Sequence, residues 1–287
     1  LEYTVNNTDF ALGSGESASG TLSISNTGDI DSALNYFLST SPFSTAGGSD
    51  SFGNTWTDSN MNDDLEDDWV DISDRGTRYS FPQNDQAGES VSIGFEFAFY
   101  GASHGALIIN ANGWVGFGED NSTWDNTNIP SPDAPRSAIF GFWDDLNPNN
   151  ENGNSYSSGN IYYHVNQYRA VIWYDDVVRW NPDDWGQFDF QIVLYPDGSF
   201  AANYRNMEGV LNSGTIGFQN NDGNMGTQIA SNEVYISNEF SWDAAQAEQD
   251  VSWIILSSSS GDLSGVLFGG ESTEIYVQVV TSGMDPG

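Results

Sequence analysis

Gly101-Ala102-Ser103-His104-Gly105 has the spacing G-x-S-x-G of a hydrolase nucleophile elbow, and it holds one of only two histidines in 287 residues. An elbow sets its serine on a strained turn between a strand and a helix, whose first N–H groups help form the oxyanion site. Here Gly105 runs into Ala-Leu-Ile-Ile-Asn and then Asn112-Gly113, a strand and another turn. The second histidine, His164, stands in the alternating stretch Ile161–Val165. A hairpin turn without catalysis is the expectation, and a hydrolase using Ser103 is the lesser alternative. A glycosidase needs two carboxyls across a cleft. Asp144-Asp145 and Asp183-Asp184 are such pairs in type, but among 41 acidic residues adjacency carries little information.

Calcium is the better use of these acids, because Ca²⁺ takes six to eight hard oxygens from a compact loop. The stretch 144–154 offers Asp144, Asp145, Asn147, Asn149 and Glu151. Asp63, Asp64 and Asp67 form a second group and Asp222 marks a third. None is an EF-hand, since Asn150 occupies the glycine position and Tyr156 the closing glutamate position. With no cysteine there is no thiolate metal site, thiol nucleophile or disulfide.

A third group suits binding. Trp173, Trp180 and Trp185 gather around Arg179, Asp183 and Asp184, and Trp180-Asn181-Pro182-Asp183-Asp184-Trp185 has turn character. Exposed rings beside carboxylates and amides can stack on sugar faces while polar groups read hydroxyls. The same surface could grip a peptide or a cationic polymer. Trp56 and Trp124 also fall in loop-like segments, whereas Trp69, Trp114, Trp143 and Trp253 fit strands and a core.

The charge limits the partners. Only six basic residues, all arginine, oppose the 41 acids, a net charge of -35. Nucleic acid and anionic membranes would be repelled. A salty or divalent-rich medium would relieve the self-repulsion. No apolar run reaches membrane-spanning length and no signal peptide stands at residue 1, so the chain reads as a monomeric piece of something larger.

The elements that must hold these groups are strands. Ten Trp, thirteen Tyr and seventeen Phe alternate with turn-formers, which predicts an all-β chain. The best helical candidate, Trp242–Gln249, is about two turns long. Strands are expected at Leu1–Asn6, Ser17–Ser25 and Ala33–Ser39, and again at Val251–Ser257 and Glu271–Thr281. Each end supplies half a sandwich, so the ends should pair. Between them, after a loop-like 45–68, short strands are expected from Trp69–Ser73 to Gly214–Gln219.

Two resemblances refine this outline. GESASGTLSISNTGDIDSALNYFLST and SWIILSSSSGDLSGVLFGGESTEIYVQVVTSGMDPG together resemble the bacterial extracellular immunoglobulin-like repeats of the Hydin and BACON type. Residues 1–45 and 249–287 would then form one discontinuous immunoglobulin-like β-sandwich. The intervening 46–248 carries FEFAFYG, IINANGWVGFG, IPSPDAP, IFGFWDDLNP, FDFQIVLYPDGSFAANY and GTIGFQNNDGNMGTQIA. In that order they resemble the nidogen-like β-sandwich found beside secreted bacterial proteases and in adhesins. The resemblance implies a larger inserted antiparallel β-sandwich in a secreted or cell-surface protein of a marine bacterium. Its role would be a non-catalytic accessory or adhesive module, steadied by Ca²⁺. Its partners would be an extracellular polysaccharide or matrix protein and the neighbouring domains of the parent chain. A purely structural spacer is the alternative.

Overall fold

Alternation of apolar and polar residues puts one face of each strand into a core, and the computed structural model follows that pattern through nineteen strands and no helix among the described residues. The structure describes residues 2–6, 17–27, 29, 33–37, 49–61, 65, 69–118, 123–153, 155–181, 186–246, 254–258 and 264–280. Trp253 lies outside them. The chain divides into two compact units, Leu1–Ser44 with Ala247–Gly287, and Thr45–Gln246.

The first unit joins the two ends of the chain. Strands β1 (Glu2–Asn6), β2 (Ser17–Ser25) and β3 (Ala33–Phe37) come from the front, and β17 (Ile254–Ser258), β18 (Ser264–Phe268) and β19 (Ser272–Val280) from the back. Their order is β1-β2-β19-β17 in one sheet and β18-β3 in another. β19 pairs antiparallel with the whole of β2, so front and back are hydrogen-bonded across the length of the chain. Asn26, just past the end of β2, ties this junction. Its side-chain amide donates to the Leu267 carbonyl at 2.9 Å and its backbone N–H to that of Glu271 at 2.9 Å.

The second unit holds β4 (Asn54–Asp58), β5 (Thr77–Arg78), β6 (Val91–Phe99), β7 (Ala102–Asn110), β8 (Trp114–Gly116), β9 (Ala138–Trp143), β10 (Asn160–Val165) and β11 (Ala170–Val178). It continues with β12 (Gly186–Leu194), β13 (Phe200–Gly209), β14 (Thr215–Gln219), β15 (Gly226–Ser231) and β16 (Phe240–Gln246). A seven-stranded antiparallel sheet, β4-β16-β13-β12-β11-β10-β5, faces a six-stranded one, β15-β14-β9-β8-β7-β6. Phe97, Ile109, Phe142 and Phe218 from the smaller sheet share one core with Ile172, Phe190, Tyr204 and Trp242 from the larger. The sheets are also hydrogen-bonded through that core. The Tyr204 hydroxyl donates to the Gly141 carbonyl at 2.6 Å and that of Tyr174 to the Asn110 carbonyl at 2.7 Å. Such buried tyrosines must find acceptors, and here they find them across the sandwich.

Four local expectations are corrected. Trp242–Gln249 does not begin a helix. Phe240, Trp242 and Ala244 are buried, and β16 lies between β13 and β4, so pairing on both sides overrides helical propensity. Trp56 is not in a loop but in β4, 7% exposed, with its ring in the core. Trp69–Ser73 is not a strand. It crosses the outer face of the larger sheet, with Val70 and Ile72 packed on Val171, Trp173 and Val193. The Gln191 side chain satisfies its backbone, accepting from the Val70 N–H at 3.1 Å and donating to its carbonyl at 2.8 Å. The turn expected over Gly101–Gly105 is only Tyr100-Gly101, with φ of 48° and 78°. Positive φ at both central positions is what a two-residue hairpin turn requires, so β6 and β7 pair from Phe99↔Ala102 onward.

Candidate functional site

Ser103 and His104 are consecutive residues of β7 and therefore point to opposite faces of the sheet. Ser103 is exposed, and its Oγ donates to Glu96 Oε2 at 2.6 Å. The His104 ring stacks on Phe117 at 4.8 Å with Nε2 buried, and burial pulls its pKa down. His164 lies in β10, in the other sheet.

The acidic loop and the aromatic segment, separate in sequence, meet in space. After β9 the chain forms an antiparallel bridge between Leu146 and Arg179, just past the end of β11. Asn147 N–H donates to the Val178 carbonyl at 2.7 Å, and Trp180 N–H to that of Asp145 at 2.8 Å. This places Asp144 against Arg179. Nη1 of Arg179 is 3.0 Å from Asp144 Oδ2, and Nη2 is 3.1 Å from Oδ1. Ser213 Oγ donates to Asp144 Oδ2 at 2.7 Å and is itself bonded by Arg179 Nη1. The arginine and aspartate side chains are 11% and 5% exposed, so this is a buried, bidentate pair.

Beside the pair opens a cleft of about 460 Å³, lined by Trp124, Asp125, Asn126, Asp145, Asn181 and Asn232 together with Asp144, Arg179 and Ser213. Trp124 is 51% exposed and Trp180, next to the lining residues Arg179 and Asn181, is 45% exposed. Asn126 is held by Nδ2 bonds to Thr215 Oγ1 at 2.9 Å and Asn232 Oδ1 at 3.1 Å. The carboxylate of Asp145 makes no hydrogen bond or ion pair among the described residues. Burial first, and then the charges of Asp85 and Asp144, raise it to about 7 against the pull of Arg179.

Trp173 belongs elsewhere. It is 7% exposed on the outer face of the larger sheet, beneath 69–72. Its Nε1 donates to Asp189 Oδ1 at 2.6 Å, and Arg205 donates to Asp189 Oδ2 through Nε at 2.7 Å while its guanidinium lies 4.3 Å over the Trp69 ring. It is a packing residue, because a bulge between Tyr174 and Val177 separates it from the segment that carries Arg179 and Trp180. Asp183, Asp184 and Trp185 lie outside the described residues, as do Asp63, Asp64 and Asp67.

The other oxygen-bearing residues proposed for the acidic loop do not converge. Asn147 is fully buried, Asn149 Oδ1 accepts from Ser157 Oγ at 3.4 Å, and Glu151 Oε1 accepts from Ser80 Oγ at 3.0 Å. Asp222 is exposed in a turn organised by Asn220. Among the described residues no three acidic or histidine side chains gather as metal ligands. Asp125, Asn126, Ser213 and Asn232 were not legible as site residues. Trp124 stood out only as an aromatic in a loop.

The fold and the cleft define an antiparallel β-sandwich module with a polar, tryptophan-edged recess. The chain belongs to the NIDO-related family, whose model matches residues 63–253. No curated protein and no solved structure matches it.

Proposed function

We propose that this chain is a non-catalytic extracellular accessory or adhesive module. It is part of a larger secreted or surface protein, and it holds a polymer in the cleft edged by Trp124. The observation that carries this reading is a half-exposed indole beside a recess whose other lining groups are amides, carboxylates, a hydroxyl and the paired Arg179 guanidinium. An exposed large aromatic beside convergent polar groups is costly to leave in water and suits a ligand with flat apolar faces and hydroxyls. Trp124→Ala should weaken binding to the preferred polymer about tenfold or more, as truncation of an aromatic anchor does. Pull-down and titration against insoluble polysaccharides and matrix proteins measure this. Undiminished binding by the variant would move the site elsewhere, and binding to nothing in the panel would favour the spacer.

The same reading includes Ca²⁺ as a stabiliser. With a net charge of -35, cations that bind the folded surface relieve repulsion, and ligands that prefer the folded state raise its stability. Melting is expected to rise in millimolar Ca²⁺ relative to EDTA. Superimposable melting curves would remove calcium from the account.

A further inference from the structure

We propose that the cleft takes a glycan bearing free amines, whose ammonium groups pair with Asp145 while a sugar ring stacks on Trp124. This rests on the polymer-binding reading and adds the chemical class of the polymer.

A peptide partner would look for apolar pockets, yet among the described residues no aliphatic side chain lines the recess. What lines it is an indole, three asparagine amides and the Ser213 hydroxyl, the equipment for a ring face and its hydroxyls. The charge of the recess then selects among glycans. Asp125, Asp144 and Asp145 line it against Arg179 alone, and Arg179 is already bonded twice to Asp144. The groups that face Asp145 are Asp85, just ahead of β6, Asp125, Asp144 and Arg179, three negative and one positive. A uronic or sulfated chain would be repelled by them and by the whole molecule. An ammonium group would meet Asp145, a half-buried lining carboxylate with no hydrogen bond or ion pair among the described residues, with the exposed Asp125 carboxylate beside it.

Calorimetry with short oligomers of matched length, one fully deacetylated (chitosan) and one fully acetylated (chitin), tests this. At about pH 6, where free amines are charged, the deacetylated oligomer should bind about tenfold tighter. Asp145→Asn should abolish the preference. Because that side chain has no partner to lose, the variant should melt no lower than the parent. Equal affinity for both oligomers would overturn the amine assignment and leave the polymer-binding reading standing. Oligolysine bound as tightly as chitosan, with Trp124→Ala without effect, would overturn it in favour of a cationic peptide. Failure of every oligomer to bind would overturn both readings.

Discussion

Replacing Arg179 with methionine is expected to destabilise the Thr45–Gln246 unit by about 3–5 kcal/mol, the range for removing one partner of a buried ion pair. For a unit of this size that lowers the melting temperature on the order of 10 °C. The reason is what remains. Asp144 is 3% exposed, and without the guanidinium its charge loses its cationic partner, although the Ser213 hydroxyl and the Asp145 N–H at 2.8 Å remain. Methionine preserves the aliphatic stem, so the loss is electrostatic rather than a packing void. Two controls separate the causes. Ser213→Ala removes the hydroxyl's bonds to Asp144 and from Arg179 and should cost about 1–3 kcal/mol. The double replacement Arg179→Met with Asp144→Leu removes both charges and should recover much of the stability, since well-packed apolar replacements of buried pairs are often neutral or better. Chemical denaturation of the three proteins gives the comparison. If Arg179→Met alone melted with the parent, the pair would not be what joins the two loops.

Gly113→Ala is expected to be more damaging still, above about 4 kcal/mol and in practice a chain that does not accumulate folded. Gly113 has φ of 82°, and a Cβ there would lie 1.9 Å from the Phe142 carbonyl oxygen. Neither side of that clash can give way. Gly141 and Phe142 both donate their N–H groups to the Gly113 carbonyl at 3.1 Å, and Phe142 is fully buried in β9. The damage would also reach the cleft, because neighbouring Asn112 accepts from Leu146 N–H at 3.0 Å through Oδ1. Gly53→Ala is the matched comparison. Gly53 also has positive φ, 98°, but an added Cβ there would meet nothing within 4 Å. It should cost only the backbone penalty, about 1–2 kcal/mol. Equal losses at the two glycines would show that φ alone decides, and that the close approach to β9 does not.

Strand existence was written locally. β2 and β10 occupy stretches the alternation indicates, and the pairing of the two chain ends follows from halves that each leave a face uncovered. Period-two patterning and glycine-bearing turns are short-range properties, so one chain suffices to read them. The failures have one physical source. Whether 242–246 is helix or strand, whether Trp56 is loop or core, and whether Trp173 is platform or packing each depend on which distant segment lies alongside. No window of neighbouring residues contains that information.

The candidate site shows the same division. Residue types alone marked Asp144, Asp145, Arg179 and Trp180 as chemically active, but assigned two to a metal loop and two to an aromatic surface. Only the bridge between Leu146 and Arg179 brings the two groups into one recess. Pairing then removes Asp144 and Arg179 from ligand duty and leaves Asp145 unclaimed, while Trp124, Asn126 and Asn232 arrive from loops far along the chain. By itself, then, the sequence determined an all-β chain of NIDO-related kind, because period and turn chemistry are local. The tertiary structure alone decided which carboxylate is free and which indole is exposed, because burial and charge pairing belong to residues that meet only after folding.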